Sequence, residues 1–590
     1  MAEADFLGQL QVRTMANLDF PPQYTRAGNT THNNEVHSIP QDEQFAYGTE
    51  MEEKLAPGFR FRAEKLPFIV YRCAYLASLL ARHLDAAIGV MITASHNPAQ
   101  DNGVKLVNFN GDRITRRWEI YADQVINASD ADLPKVIRDL EKNFQRSSQS
   151  KIASGLIDNA KVVCGIDTRV SGPHLMEAAR AGAALFNVKF VDIGVVSTPM
   201  LHYIVKSFNE PEFAEATHQG YYQAISDAFR KLYTLTPEPK GSRYQPELIV
   251  DCANGVGAPR FRELLELIPK EMLRVEFRNE NGELNHGCGA DFVKIRQNIP
   301  AGFDSEAKEP KCASFDGDAD RILYFRAKKG YLYGKAELFD GDRIAVLFAK
   351  YLKEQLDIYT ASKPRNSLKM GIVQTAYANG SSTRFIREHL KIEPIIAPTG
   401  VKRLQRNAAA FDIGVYFETN GHGTIVFSKH FDSVVRRNTD SLPTHLQRLH
   451  LFSRVINETV GDAFADLLAT EIVLRHFGWS MDDWMQKLYE DTPSISFQAS
   501  VGDLSIFKTT NAEQTLEEPD GLQKRIDEEV AKYKNARAFA RPSGTENIVR
   551  VYAEADTLEN AHRLGETVTQ AVEQADSRHR YLKRFMRFQL

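Results

Sequence analysis

Short apolar runs alternate with helix-period segments along most of the chain. Ala86-Ala87-Ile88-Gly89-Val90-Met91-Ile92 and Val162-Val163-Cys164-Gly165-Ile166 are unbroken apolar runs of the length expected for buried strands. Leu175, Met176, Ala178 and Ala179 lead through to Phe186 at helical spacing, and Val188-Lys189-Phe190-Val191-Asp192-Ile193 then reads as the next strand. Strand, helix and strand in that order predict βαβ units and a parallel sheet. The same grammar returns in three places. Glu247–Val250 runs into the glycine-rich turn Asp251–Gly257, Lys311–Phe315 runs into an acidic loop, and Met370–Val373 with Ile413–Phe417 form a third unit. No strict repeat of solenoid period accompanies this recurrence. The last quarter has a different rhythm: a helix over Val460–Phe477, an alternating strand over Val549–Ala555 and a final helix over Ala561–Ala575. That pattern predicts an α+β module. Joints near Ser197-Thr198-Pro199, near Ala327–Gly330 and between Leu451 and Pro493 divide the chain into units 1–197, 198–326, 327–455 and 456–590, the last opening with a linker helix.

Composition narrows the class without touching the chemistry. The chain has 590 residues, against a prior of about 150 per domain, so three or four domains are expected. Hydrophobic residues at 43% and charged residues at 25% suit an ordinary folded protein. A formal net charge of −4 provides no global basic field for nucleic acid. The five cysteines form no CxxC pair and are odd in number, which suits reduced thiols in a cytoplasmic protein. No apolar run approaches the ~20 residues of a membrane span. The first residues, Met1-Ala2-Glu3-Ala4-Asp5, lack the basic start of a secretory signal. The expectation is therefore a soluble, cytoplasmic, multidomain protein with neither nucleic acid nor membrane as partner.

Four loops carry candidate chemistry. In Asp316-Gly317-Asp318-Ala319-Asp320-Arg321, three carboxylates alternate with the two smallest residues, so their oxygens can turn onto one hard cation. An oxygen-only set suits Mg²⁺. A calcium EF-hand is excluded, because its sixth and twelfth loop positions would be Arg321 and Ala327 in place of Gly and Glu. Thr93-Ala94-Ser95-His96-Asn97-Pro98 follows a predicted strand and puts Ser95 where open α/β sheets bind ligands, although a capping or turn serine fits the peptide equally. It has no GxSxG elbow. Arg541-Pro542-Ser543-Gly544-Thr545-Glu546, with Arg550, joins guanidiniums, hydroxyls and a glycine turn suited to phosphate, or is simply a polar turn before a strand. Glu418-Thr419-Asn420-Gly421-His422-Gly423 offers a carboxylate and an amide to sugar hydroxyls, or is a loop after a strand. Asn254-Gly255-Val256-Gly257 misses the dinucleotide fingerprint and reads as a βα turn.

Together, in this order, the four loops resemble the α-D-phosphohexomutase superfamily, from about Tyr47 to Ala555. Gly165–Gly172 and Asp101–Lys105 agree with that resemblance. It implies four domains around a central cleft: three related α/β mixed-sheet domains and a C-terminal α+β domain. It implies that Ser95 carries a phosphoryl group and that Ser95, Asp316, Asp318 and Asp320 hold Mg²⁺. Arg60, His96, Lys105 and Arg321 become candidates for charge and proton handling, with the general base left open. Glu418, Asn420 and His422, with Thr399 and Gly400 of Pro398–Lys402, would meet the sugar. Arg541, Ser543, Gly544, Thr545 and Arg550 would grip the distal phosphate. Asn420 stands where glucose and mannose mutases have a serine, and Leu284–Lys294 and Ile456–Ala463 also resemble the N-acetylglucosamine branch. The resemblance therefore implies interconversion of N-acetylglucosamine 6-phosphate and 1-phosphate toward UDP-N-acetylglucosamine, with a hexose 1,6-bisphosphate as activator. A small-molecule sugar phosphate is then the partner of a monomer or weak homodimer. The alternatives are a mutase preferring glucose, mannose or glucosamine phosphates, and a catalytically dead sugar-phosphate-binding protein.

One departure bears on the last alternative. The superfamily peptide YGTxGFR is interrupted here, with Glu50–Pro57 between Tyr47-Gly48-Thr49 and Gly58-Phe59-Arg60. The extra residues are expected to loop out, since surface insertions cost little when their flanks stay fixed. Displacement of Arg60 would weaken catalysis and leave binding. The basic, aromatic run Arg578–Phe588 is expected to be a docked or frayed tail.

Overall fold

The apolar runs become central strands of three sheets, each with a block of three parallel strands bordered by an antiparallel one. The computed structural model describes residues 20–47, 58–147, 159–186, 188–303, 311–327, 334–363, 367–436, 442–543 and 548–587. The first sheet contains β1 (Phe59–Arg62), β2 (Ala87–Ile92), β3 (Asp101–Val107), β4 (Lys161–Ile166) and β5 (Lys189–Val195), in the order β1-β3-β2-β4-β5. The second contains β6 (Glu247–Asp251), β7 (Arg274–Arg278), β8 (Cys312–Phe315), β9 (Ile322–Ala327) and β10 (Ala336–Phe339), in the order β10-β9-β8-β6-β7. The third contains β11 (Met370–Thr375), β12 (Ile395–Ala397), β13 (Ile413–Phe417) and β14 (Gly423–Phe427), in the order β12-β11-β13-β14. In each sheet three strands run parallel, as the βαβ pattern predicts. An antiparallel strand returns at one end of each parallel block, beside the strand that precedes it in the chain: β3 beside β2, β9 beside β8 and β14 beside β13.

That return places the chemistry. The Ser95 loop is the β2–β3 connection, the acidic loop joins β8 to β9, and the Glu418–His422 loop joins β13 to β14. The fourth unit adds β15 (Ser494–Ser500), the hairpin β16 (Lys508–Thr510) and β17 (Thr515–Glu518), and β18 (Arg537–Pro542) with β19 (Ile548–Glu554). Its three-stranded sheet runs β15-β19-β18, all antiparallel. The Arg541–Ser543 segment leads out of β18 toward β19, so the fourth loop is also a hairpin connection.

Burial separates the fourth unit from the rest. One apolar cluster runs from Met91 and Val107 of the first sheet through Phe315, Phe348 and Val415 to Trp484. The fourth sheet has its own core, from Ala499 through Val551 to Val572. Sheet membership moves the expected joints. The helix Thr198–Asn209 packs on β2 and β4, so the first unit continues past residue 197. Strand β10 pairs with β9, because a hairpin satisfies the edge of the second sheet, so that unit continues past 326 to Phe339. The helix Ala463–Phe477 lies in the main cluster beside helices of the second and third units, and the fourth core begins only after it. We propose joints near 210 and 340, a little beyond those expected from sequence, and a third near 490, inside the expected Leu451–Pro493 segment.

At the C-terminus one helix spans Leu558–Arg587 and takes in most of the basic run. Within it Arg580 pairs with Asp576 at 2.8 Å, and Asp576 accepts the Gly502 N–H, which ties the helix to the fourth unit.

Candidate active site

Ser95 lies beyond the end of β2, fully buried, with its backbone in the left-handed region at φ 52°. Local bonds fix that turn. The Ser95 N–H donates to Thr93 Oγ1 (2.9 Å), and the Thr93 hydroxyl donates to Asp167 Oδ2 (2.7 Å). Arg169 pairs with Asp167 and donates to the Ser95 and Asn97 carbonyls, and Asn285 reaches the same two carbonyls from the second unit. The Ser95 hydroxyl donates to Asp316 Oδ2 at 2.6 Å, so the first loop meets the second directly. Gly317 permits that approach, since a Cβ there would stand 2.7 Å from the Ser95 carbonyl oxygen.

The three carboxylates of the acidic loop offer oxygens that all lie within 4.8 Å of one another, and all three side chains are buried. Strand register brings cations to them. Arg60 is opposite Gly103 in the β1–β3 pair, and Lys105 is opposite Met91 in the β3–β2 pair. Lys105 Nζ stands 3.1 Å from Asp318 and 3.6 Å from Asp320. Arg321 binds Asp291 at 2.6 Å and stands 3.7 Å from Asp320. The Thr198 hydroxyl donates to Asp318 at 2.6 Å. Burial, then the charges of Asp320 and Asp318, push the Asp316 carboxyl well above the usual carboxylate range. Burial would raise Asp320 as well, but His422, Lys105 and Arg321 hold it well below that range. His96 is lowered to about 3, by burial first and then by Arg321 and Arg60 against the pull of Asp291, so its imidazole is neutral. Its Nδ1 lies 3.5 Å from Ser95 Oγ.

Arg60 keeps its place despite the interruption before it. Tyr47 is buried, its hydroxyl accepts the Leu106 N–H at 2.8 Å, and its own N–H donates to Asp123. Both flanks of the insertion are thus bonded to the first unit, Tyr47 to Leu106 of β3 and Arg60 through the β1–β3 pair. Residues 48–57 lie outside the described residues. Burial lowers the Arg60 guanidinium below its ordinary value, against the opposing pull of Asp318 and Asp320, so this cation faces the acidic cluster.

The third loop packs on the second. Gly421 has φ +87° and its carbonyl accepts the Ile322 N–H at 3.2 Å; a Cβ there would meet the Ile322 oxygen at 2.0 Å. The Asn420 amide donates to Glu418 at 3.2 Å. His422 Nδ1 lies 2.8 Å from the Asp320 carbonyl oxygen, and Nε2 lies 3.0 Å from Arg113. Both ring nitrogens are therefore engaged, and His422 ties three loops together rather than facing a sugar freely. In the fourth unit Arg541 and Arg550 are register partners, which puts both guanidinium stems on one face of the β18–β19 pair. Arg541 Nε donates to the Tyr377 hydroxyl at 2.9 Å. Ser543 is buried, and its N–H donates to the Ile548 carbonyl. Gly544 and Thr545 lie outside the described residues. Thr399, just before Gly400, donates its N–H and hydroxyl to Glu513. Thr198, Arg113 and Glu513 were not foreseen as site residues. Asn285, Asp291 and Arg169 sit inside peptides that resemble the superfamily but carried no assigned role.

The comparisons agree with this geometry unit by unit. Family profiles described as phosphoacetylglucosamine mutase AMG1, domains II and III, match residues 212–323 and 340–479. Profiles of phosphoglucomutase/phosphomannomutase match residues 68–132 and 130–217 for the alpha/beta/alpha domain I, and 507–571 for the C-terminal domain. A phosphoacetylglucosamine mutase of Candida albicans is 42% identical over 552 residues, covering 91% of this chain and 97% of its own. The crystal structure of Aspergillus fumigatus N-acetylphosphoglucosamine mutase in complex with GlcNAc-6P and magnesium matches at TM-score 0.80 and 39% identity, over 90% of this chain and 96% of that one. A variant of that enzyme in complex with glucose 1,6-bisphosphate matches at TM-score 0.79 and 38% identity, over 94% and 99% of the two chains. Three loops meeting from three sheets, and this likeness along nearly the whole length, establish that the chain belongs to the phosphoacetylglucosamine mutase family of the α-D-phosphohexomutases.

Proposed function

We propose that this protein interconverts N-acetylglucosamine 6-phosphate and N-acetylglucosamine 1-phosphate, with Ser95 carrying the phosphoryl group and a hexose 1,6-bisphosphate serving as intermediate and activator. The observation that carries the reading is the Ser95 hydroxyl bonded at 2.6 Å to a buried cluster of three carboxylates. That cluster fits a divalent cation. Its donors are all oxygen, and Asp318 Oδ1 is buried with no hydrogen-bond partner, which is costly unless something else satisfies it. Asp316, Asp318, Asp320 and a Ser95 oxygen would hold Mg²⁺, which when bound supplies positive charge beside the oxygens of the transferring group.

The chain's own residues do the rest. The phosphoserine Oγ–P bond breaks as a new P–O bond forms on the free sugar hydroxyl, whose proton leaves to a base. The bisphosphate then turns and returns its other phosphoryl group to Ser95. Arg60, Lys105 and Arg321 place positive charge around the reacting oxygens, where phosphoryl transfer needs it most. A neutral His96 contributes a hydrogen bond beside Ser95. Glu418 and Asn420 orient sugar hydroxyls, with His422 fixing their loop against the acidic one. Arg541, Ser543 and Arg550, with Gly544 and Thr545, grip the distal phosphate in both orientations, beside Thr399 and Gly400. Among the described residues no helix is long and apolar enough to cross a membrane. All five cysteines are buried and form no disulfide, which goes with a cytoplasmic enzyme on the route to UDP-N-acetylglucosamine.

Phosphorus NMR tests the reading. Protein with Mg²⁺, a trace of glucose 1,6-bisphosphate and N-acetylglucosamine 6-phosphate should develop an anomeric phosphate signal faster than a parallel sample with glucose 6-phosphate. Faster conversion in the glucose sample would overturn the substrate, and silence in both would overturn the mutase.

A further inference from the structure

We infer that Glu513 is a positioning residue of the distal phosphate site: its carboxylate holds the phosphate's place between the third and fourth units and yields it when the sugar phosphate binds. The inference rests on the reading of Arg541 and Thr399 as phosphate-side groups.

Glu513 sits in the turn of the β16–β17 hairpin, where Thr510 pairs with Thr515. Three successive non-glycine residues, Asn511, Ala512 and Glu513, are left-handed at φ 51°, 53° and 69°. Side chains rarely adopt that region, so contacts must hold the turn. The Gln514 N–H and side-chain amide close it on the Asn511 carbonyl, and the Glu513 side chain ties it to the third unit. Its Oε2 accepts the Thr399 N–H at 3.0 Å and the Thr399 hydroxyl at 2.6 Å. Its Oε1 accepts from Arg541 at 3.4 Å and lies 3.9 Å from Arg403. A backbone amide, a hydroxyl and two guanidiniums converging on one anion is the donor set that phosphate oxygens take. The side chain is only 13% exposed, so it occupies the gap between the two units rather than hanging over it.

A carboxylate and a phosphate dianion cannot share these donors, because like charges at that separation repel. Release of Glu513 need not detach the fourth unit. Gly380 to Glu554, Asn379 to Thr492 and Arg537 to the Ala378 carbonyl join the same two units without it. The hairpin can therefore swing while the joint stays closed, exchanging one anion for another on Arg541.

Glu513→Gln and Glu513→Ala in the full chain test this. Glutamine keeps an oxygen acceptor for Thr399 and removes the charge. Its KM for N-acetylglucosamine 6-phosphate and its inhibition constant for inorganic phosphate should each fall about three- to tenfold, kcat should not rise, and the gain should shrink as added salt screens the site. Unchanged or raised constants in both variants would mean a permanent latch and overturn the inference. A second readout needs no turnover. In the unmutated protein, hydrogen exchange over residues 508–518 should quicken when inorganic phosphate is added, and in Glu513→Gln it should already be quick. Exchange indifferent to phosphate would also overturn the inference. Quickened exchange without any turnover would leave Glu513 standing and remove the mutase reading instead.

Discussion

Ser95 is held in a left-handed turn by bonds from Thr93, Arg169 and Asn285 to its backbone, so its side chain is the only part the chemistry needs to change. Alanine at that φ is no more strained than serine, and the groups proposed for the distal phosphate belong to another unit. Ser95→Ala should therefore lower turnover by about 10³-fold or more, as loss of a nucleophile does, while sugar-phosphate affinity stays within about threefold, the spread of a context effect. Labelled phosphate on the intact protein and calorimetric titration of the sugar phosphate check the two halves; label retained in the alanine variant would assign the phosphoryl group elsewhere. Ser95 and the three aspartates were legible in the sequence because their chemistry is packed into six-residue peptides. Thr198, Asn285, Arg113 and Glu513 were not, because each acts on a partner more than a hundred residues away, and no local spacing records such a contact. His422 was legible as part of a loop but not in its role, since only the fold shows both ring nitrogens engaged.

The elements were readable where burial makes a run uniformly apolar, and obscure where function intrudes. Strand β2 is buried throughout and stands out, whereas β3, Asp101–Val107, carries Asp, Asn, Gly and Lys because it returns from the Ser95 loop and delivers Lys105 to the acidic cluster. The four residues of β1, Phe-Arg-Phe-Arg, are too short and too charged to read as a strand until β3 pairs with them. Helix starts share this conflict. The helix Gly341–Ser362 begins beneath the sugar loop, where a Cβ on Gly341 would meet the Glu418 oxygen at 2.0 Å. Its first turn buries Asp342, and burial with the neighbouring Asp340 raises that carboxyl to about 8, against Lys294 and the Asn379 N–H. The folded state thus keeps a proton that the unfolded state releases near pH 4. Between pH 4 and 8 the unfolded chain binds fewer protons, so stability contributed by the protonated Asp342 is present at low pH and lost as pH rises through about 8. Asp342→Asn should mimic the protonated form. Its melting temperature should sit close to that of the unmutated protein at pH 5 and exceed it at pH 9. An equal difference at the two pH values would show that Asp342 does not titrate in this window.

At the scale of the whole molecule, three sheets share one continuous apolar cluster while the fourth keeps a core of its own. That division was foreshadowed by the change of rhythm in the last quarter, but its exact seam was not, because strand pairing and helix docking decide the seam and both are long-range. A shared core ties the Ser95, acidic and Glu418–His422 loops to one body, and a separate core lets the loop proposed for the distal phosphate belong to a unit able to move, as the proposed retention of a turning bisphosphate would require. The apolar joint between wall and moving unit is small: Ala376, Phe539 and Tyr552 with Tyr377 packed among them. Tyr377 does two things there. Its ring meets Phe539 and Tyr552 edge-on, with centroids at 5.1 and 5.9 Å, and its hydroxyl accepts from Arg541 at 2.9 Å. Tyr377→Phe removes only the hold on Arg541, and Tyr377→Ala also empties the wedge; because each side keeps its own core, both variants should fold. If the joint retains the intermediate, Tyr377→Ala should shed bisphosphate between its two transfers and need about tenfold more added glucose 1,6-bisphosphate for half-maximal rate, a change of about 1.4 kcal/mol. Tyr377→Phe should mainly raise KM and leave that requirement close to its original value. Steady-state rates over a range of activator concentrations separate the two, and an activator requirement unmoved in Tyr377→Ala would mean that retention resides in the loops and not in the joint.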